Sequence, residues 1–162
     1  RLELENVLAT SFPTFYNLIT LEVSIIKARQ VRSLFSFLQF SPNLESLFFG
    51  RVTFLDEADE DEFTLDVVPQ CLLMHLKSVE FQDFEGQPSE LDLVQQFLQN
   101  AGVLQTVILG IRSLSLVNSE KKKTHTAENV SNGIMEQLLK YKWASTDCVI
   151  EFTSSPYFSP KP

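Results

Sequence analysis

The residue types that build covalent, metal-bound and phosphate-cradling sites are scarce in this 162-residue chain: two cysteines, two histidines and five glycines. Cys71 and Cys148 stand far apart and form no C-x-x-C pair, which argues against a disulfide scaffold and fits a reducing compartment. His75 and His125 make no H-E-x-x-H or related ligand spacing, so no metal site is expected. Neither G-x-G-x-x-G nor G-x-x-x-x-G-K-[ST] occurs, so no nucleotide cofactor is expected. Basic charge is short as well. The 13 Lys and Arg against 21 Asp and Glu give a formal net charge of -8. Phosphate contacts need clustered cations, so this balance speaks against nucleic acid and against anionic membrane surfaces. No run approaches the ~18 apolar residues that a transmembrane helix needs.

What the chain does have is apolar bulk. It is 44% hydrophobic with fourteen phenylalanines, enough for a core of large side chains in one domain or in part of a larger one. The chain opens on Arg1 and a strand-like "RLELENV", which predicts further protein upstream. The segment "DEADEDE" at 56–62 lacks the spacing, the glycine and the final glutamate of a calcium loop, and reads as a solvated acidic loop. "NSEKKKTHT" at 118–126 reads as a second polar loop. Its three lysines are too few for a nucleic-acid patch in so acidic a chain.

The apolar residues recur in one pattern. "SPNLESLFF" at 41–49 carries L-x-x-L-x-L spacing through Leu44, Leu47 and Phe49. The same spacing returns at Leu18-Leu21-Val23, Leu76-Val79-Phe81 and Leu104-Val107-Leu109. A shorter form appears at Leu2-Leu4 and Ile150-Phe152. Aligned on the first residue of each inner pair, the copies begin at 2, 21, 47, 79, 107 and 150, and the middle spacings approach a leucine-rich-repeat length. Each copy predicts a short strand whose apolar residues face one side. Stacked in parallel, such strands share a continuous core.

Parallel strands need crossovers, and helical patterns fall between the copies. Residues 28–40 place Val31, Leu34, Phe35 and Leu38 on one face. Residues 89–100 predict a helix with Ser89 as N-cap, Asp92 at N3, an inward face of Leu91, Val94, Phe97 and Leu98, and a left-handed cap at Gly102. A third helix is expected within 127–142, using Val130, Ile134 and Leu138, with Met135 and Tyr141 as further contributors. The proline-bearing tail, 154–162, is expected to fray. The fold class is therefore α/β: a short, right-handed, leucine-rich-repeat-like solenoid of about six parallel strands with helices on the convex side.

Several blocks, in order, resemble the C-terminal half of plant F-box/LRR proteins that end in an FBD domain. "SPNLESLFF" looks like a last leucine-rich repeat. "VPQCLLMHLKSVEFQDFEG" at 68–86 resembles the opening of the FBD domain. "ELDLVQQFLQNAGVLQTVIL" at 90–109 resembles its helix and the following Asn-Ala-x-x-Leu. "ASTDCVIEF" at 144–152 resembles its closing strand. The resemblance implies leucine-rich repeats over 1–66, an FBD domain over 67–153 and a disordered tail over 154–162. It also implies an intracellular protein, nuclear or cytoplasmic, that serves an SCF-type ubiquitin ligase. A Skp-type adaptor and a cullin would be reached only through an F-box, which this sequence does not contain. The remaining partner would be an unknown protein substrate.

No catalytic residue is expected. Cys71 and Cys148 read as buried thiols, His75 as a structural or surface residue beside a strand, and His125 as solvent-exposed. The candidate surface is the outer side of the sheet. The residue between each apolar pair points there: Glu3, Glu22, Phe48, Glu80, Ile108 and Glu151. One step earlier on that face lies a row of Thr20, Ser46, Ser78, Thr106 and Val149. Small hydroxyls let a partner approach, and Phe48 and Ile108 are apolar where solvent is expected. The bland alternative is that short polar residues simply suit a strand surface and that Phe48 is covered by a loop. A protein-binding, substrate-recognising module is the leading expectation. A small-molecule receptor and a repeat scaffold with no F-box and no role in ubiquitination are the alternatives.

Overall fold

The computed structural model of this chain describes residues 13–27, 30–53, 67–111 and 127–154. Five strands, β1 (Thr20–Lys27), β2 (Ser46–Thr53), β3 (Ser78–Phe84), β4 (Thr106–Ile111) and β5 (Val149–Ser154), form one parallel sheet in sequential order. Four helices carry the crossovers: α1 (Val31–Leu38), α2 (Gln70–Met74), α3 (Pro88–Asn100) and α4 (Ala127–Leu138). The expected count was about six strands, and five are seen; the first copy, Leu2–Leu4, lies outside the described residues, as do both charged loops, His125 and the tail from 155 on, while Ser154, expected in the tail, closes β5.

The register is set by the apolar comb. Leu21, Leu47, Val79, Val107 and Ile150 pair in one row, and Val23, Phe49, Phe81, Leu109 and Phe152 in the next. A slip of one residue in any strand would turn both rows to solvent. Both rows are buried from β1 to β4 and partly buried in β5. Helices cover them. The Phe97 ring of α3 lies 6.0 Å from Phe49 and 6.4 Å from Phe81, and the Phe35 ring of α1 lies 5.3 Å from Phe97. Phe49 and Phe81 stack at 4.7 Å across neighbouring strands. The phenylalanine-rich composition thus fills the space between sheet and helices.

β2, β3 and β4 are each entered by the same pair of backbone hydrogen bonds. Glu45 and Ser46 N–H donate to Ile19 O, Lys77 and Ser78 to Glu45 O, and Gln105 and Thr106 to Lys77 O. Val149 N–H donates to Gln105 O at the last step. One local geometry therefore recurs along the sheet. Ala144 N–H to Leu98 O and Ser145 Oγ–H to Leu104 O tie the last connection to the preceding crossover.

Details depart from the sequence pattern. α1 buries Val31, Leu34, Phe35 and Leu38 as the spacing predicts, and also Phe37. In α3 the N-cap is Gln87, not Ser89, and N3 is Glu90, not Asp92. Pro88 explains the shift: its fixed φ and missing N–H suit the first helical position. Leu93 is buried in place of Leu91, which is only partly covered. The left-handed glycine is Gly86 (φ 80°), before α3, and not Gly102 after it. In α4 Ile134 and Leu138 are buried, Val130 and Met135 partly so, and Tyr141 is exposed beyond the helix end. The short α2 was not expected.

β3 also holds one residue more than β4 along the same path. Phe81 pairs with Leu109, but Phe84 pairs with Ile111, and Asp83 between them has φ 52°. This bulge restores the inward direction of Phe84, which is fully buried. Aspartate tolerates the left-handed region better than most residues.

Candidate functional site

The face opposite the helices carries the outer rows in register. Glu22 pairs with Phe48, Phe48 with Glu80, Glu80 with Ile108, and Ile108 with Glu151. Thr20, Ser46, Ser78, Thr106 and Val149 form the row beside it. The structure therefore brings together, across five strands, residues that span 130 positions of sequence from Glu22 to Glu151. Glu3 lies outside the described residues.

Exposure varies along the rows. Glu22, Glu151, Thr20 and Val149 are exposed on the first and last described strands, while Phe48, Glu80, Ile108, Ser46, Ser78 and Thr106 are half-buried. Ser78 Oγ–H donates to Ser46 Oγ at 3.1 Å, so two members of the hydroxyl row hold each other. Gln82 Nε2–H donates to Glu80 Oε2 at 3.1 Å and fixes that carboxylate. Gln82 was missed by the sequence reading, although it sits only one further step along the same face. Gly50, two residues beyond Phe48, is where the strands close up. A Cβ there would stand 2.7 Å from Ser24 O.

The groups with chemical potential lie elsewhere and are quiet. Cys71 is fully buried, with its thiol donating to Leu38 O at 3.7 Å, and burial pushes its pKa up to about 12. Burial likewise pushes Cys148 up to about 11. Neither has the electropositive setting of a reactive thiol. His75 is half-buried at the C-terminus of α2, its backbone N–H bonded to Cys71 O.

Glu90, another residue the sequence reading passed over, is 3% exposed. Its Oε1 accepts from Gln87 N–H at 2.9 Å and from Glu85 N–H at 3.2 Å. Burial nevertheless raises its carboxyl to about 7, and the hydrogen bonds oppose that rise. It closes the turn between β3 and α3 and lies off the outer face. Its sequence signal was a glutamate at N3 behind a proline. Among the described residues no group of three His, Cys, Asp or Glu is placed to hold a metal ion, and no helix is long and apolar enough to cross a membrane.

Comparison with known proteins adds what geometry cannot. Residues 66–109 match the family model described as FBD; they begin before α2 and run through most of β4. An FBD-associated F-box protein of Arabidopsis thaliana is 37% identical over 100 residues, covering 62% of this chain and 21% of that protein. An F-box/FBD/LRR-repeat protein of the same plant is 35% identical over 109 residues, 67% of this chain and 24% of that protein. A second F-box/FBD/LRR-repeat protein is 31% identical over 120 residues, 74% of this chain and 26% of its own length. The chain thus spans about a quarter of the length of such relatives. No solved structure matches it significantly. These matches show that the chain carries an FBD segment and is similar to the plant F-box/FBD/LRR-repeat proteins.

Proposed function

We infer that this chain is the protein-interaction region of an F-box/FBD/LRR protein, the part that recognises a substrate for an SCF-type ubiquitin ligase. The observation that carries the reading is the outer face: one row from Glu22 to Glu151 held in register over five parallel strands. Sequential parallel strands with a recurring entrance are how a leucine-rich-repeat-like solenoid is built, and such solenoids bind with an open sheet face. Half-exposed Phe48 and Ile108 supply apolar anchors there. No ligase chemistry is assigned to these residues. The contribution is proximity, which raises the effective concentration of a held substrate near a charged ubiquitin carrier. Skp-type and cullin subunits would be reached through an F-box elsewhere in the full-length protein, in the nucleus or cytoplasm.

The test is an affinity capture from plant extract read by mass spectrometry. Three forms are compared: the full-length protein, a version lacking residues 13–154, and the full-length Phe48→Ala/Ile108→Ala variant. Cullin and Skp-type subunits should appear with all three, and a further set of proteins with the first alone. If that set persists with the double variant, the outer face is not the reader. If no ligase subunit appears with any form, the ubiquitin reading fails.

A further inference from the structure

The central row on the outer face alternates acid and apolar at every strand: Glu22, Phe48, Glu80, Ile108, Glu151. Among the described residues no lysine or arginine pairs with any of the three carboxylates. The ion pair at the strand entrances, Lys77 with Glu45, uses other groups. Glu80 is held by the neutral amide of Gln82, which orients the carboxylate and leaves its charge unmatched. Among the described residues the row is therefore three carboxylates without an ion-pair partner, with two apolar side chains between them, on a chain of formal net charge -8.

The spacing is also informative. Neighbouring strands lie ~4.8 Å apart, so successive carboxylates stand about 10 Å apart and the five-residue row is about 19 Å long. An extended peptide laid across the strands offers same-side residues about 6.7 Å or 13 Å apart, which matches neither interval. An α-helix rises ~1.5 Å per residue, so residues i and i+7 stand about 10.5 Å apart on one face, with i+3 or i+4 between them. Cations at i, i+7 and i+14 would meet Glu22, Glu80 and Glu151, and apolar residues one turn on from the first two would meet Phe48 and Ile108. The flanking rows are mostly short, with Thr20, Ser46, Ser78 and Thr106 on one side and Gly50 and Gly110 on the other; the longer Gln82 beside those glycines is held against Glu80, so a helix can approach the sheet.

We propose that this face takes a basic amphipathic helix of a partner protein, laid across the strands with lysine or arginine at seven-residue intervals. The proposal rests on the reading of the sheet as a protein-binding surface and names the chemistry of what it binds. The whole-chain charge would speed the encounter, and the alternating row would set the helix register.

The test uses fluorescent Ala-rich helical peptides of about 18 residues. One carries Lys at positions 1, 8 and 15 with Leu at 4 and 11, a second has Glu in place of Lys, and a third has the same composition with the Lys interval broken. Binding to this chain is read by anisotropy at low and physiological salt, with circular dichroism showing that each variant is folded. The first peptide should bind, the second should not, and the third should bind weakly. Glu22→Gln/Glu80→Gln/Glu151→Gln and added salt should each weaken the first by on the order of 10-fold.

Equal binding of the Glu peptide, or no binding of the Lys peptide to folded chain, overturns the basic-helix proposal. Either result leaves the wider reading standing if Phe48→Ala/Ile108→Ala still strips the specific set from the extract capture. Loss of that dependence, with the Lys peptide still bound, would sink the wider reading instead.

Discussion

Glu90 places a titratable carboxyl where the fold can feel its charge. In the unfolded chain it titrates near 4.5, and in the folded protein burial raises it to about 7. The folded state then holds the proton more tightly than the unfolded state between those values, so stability falls as pH rises. The contribution is fully present below 4.5 and is lost as pH passes through about 7. At ~1.4 kcal/mol per pH decade the whole loss is about 3 kcal/mol, most of it between pH 5 and pH 8.

Glu90→Gln keeps a neutral carbonyl oxygen for the N–H groups of Gln87 and Glu85 and removes the titration. It should match the parent near pH 5 and exceed it by about 2–3 kcal/mol near pH 8. Glu90→Ala should be less stable at both, because it leaves those backbone donors without their acceptor, at about 1–3 kcal/mol each where water cannot replace it. Urea unfolding at the two pH values, followed by the fluorescence of the single tryptophan, Trp143, measures all three chains. If the parent gains on Glu90→Gln as pH rises, the backbone donors hold the carboxylate more strongly than burial opposes it, and the reasoning fails.

Other perturbations separate the inner rows from the rest. Phe81→Ala removes a ring stacked on Phe49 and set edge-on to Phe84 and Phe97; denaturant unfolding should show a loss of about 3–5 kcal/mol. Two glycines should answer alanine with opposite signs. Gly50→Ala drives a Cβ to 2.7 Å from Ser24 O and should cost about 1–3 kcal/mol in thermal or urea melts. Gly133→Ala, in α4 with nothing within 4 Å of its Cβ, should gain about 0.5–1 kcal/mol. The two thiols should be silent to a thiol reagent near pH 8 in native protein and both react in denaturant, because burial raises Cys71 to about 12 and Cys148 to about 11. Rapid labelling of the native chain would contradict that burial.

Much of the sheet was legible because one signal was written repeatedly. Leu-x-Leu alternation fixes which side of a strand faces the core, and repetition fixes the register, so the outer rows followed without any knowledge of the helices. Some signals that occurred only once were misread. The four apolar or near-apolar residues from Cys71 to Met74 look like a strand approach, and nothing local marks them as the turn of helix they form. At α3, Ser89 and Asp92 imitate a capping box. The stronger signal was Pro88, which can take the first helical position and so moves the cap back to Gln87. The bulge at Asp83 has no sequence mark, since it answers a need set by Phe84 and Ile111 across the strand pair. Gln82 was missed because it lies beyond the three-residue motif on which the rows were aligned.

The two sides of the sheet are constrained by different physics, and that difference bears on function. On the inner side residue identity is dictated: Phe49 and Phe81 stack on each other and against Phe97, and smaller side chains would leave a void. On the outer side no helix among the described elements imposes such a demand. A polar residue at every position would satisfy the fold, yet Phe48 and Ile108 stand there half-exposed. A carboxylate flanks each of them on both neighbouring strands, so the apolar groups never join into a patch. This arrangement keeps the unbound face soluble and leaves two anchors in place. It follows that replacing the three glutamates should do more than weaken a basic partner. Neutralising them removes the like-charge repulsion between two copies of this face while Phe48 and Ile108 stay half-exposed, so Glu22→Gln/Glu80→Gln/Glu151→Gln should self-associate more readily than the parent at equal concentration. Light scattering that showed no difference would mean the charge of the acids does not keep copies of the face apart, and their alternation would then need another cause.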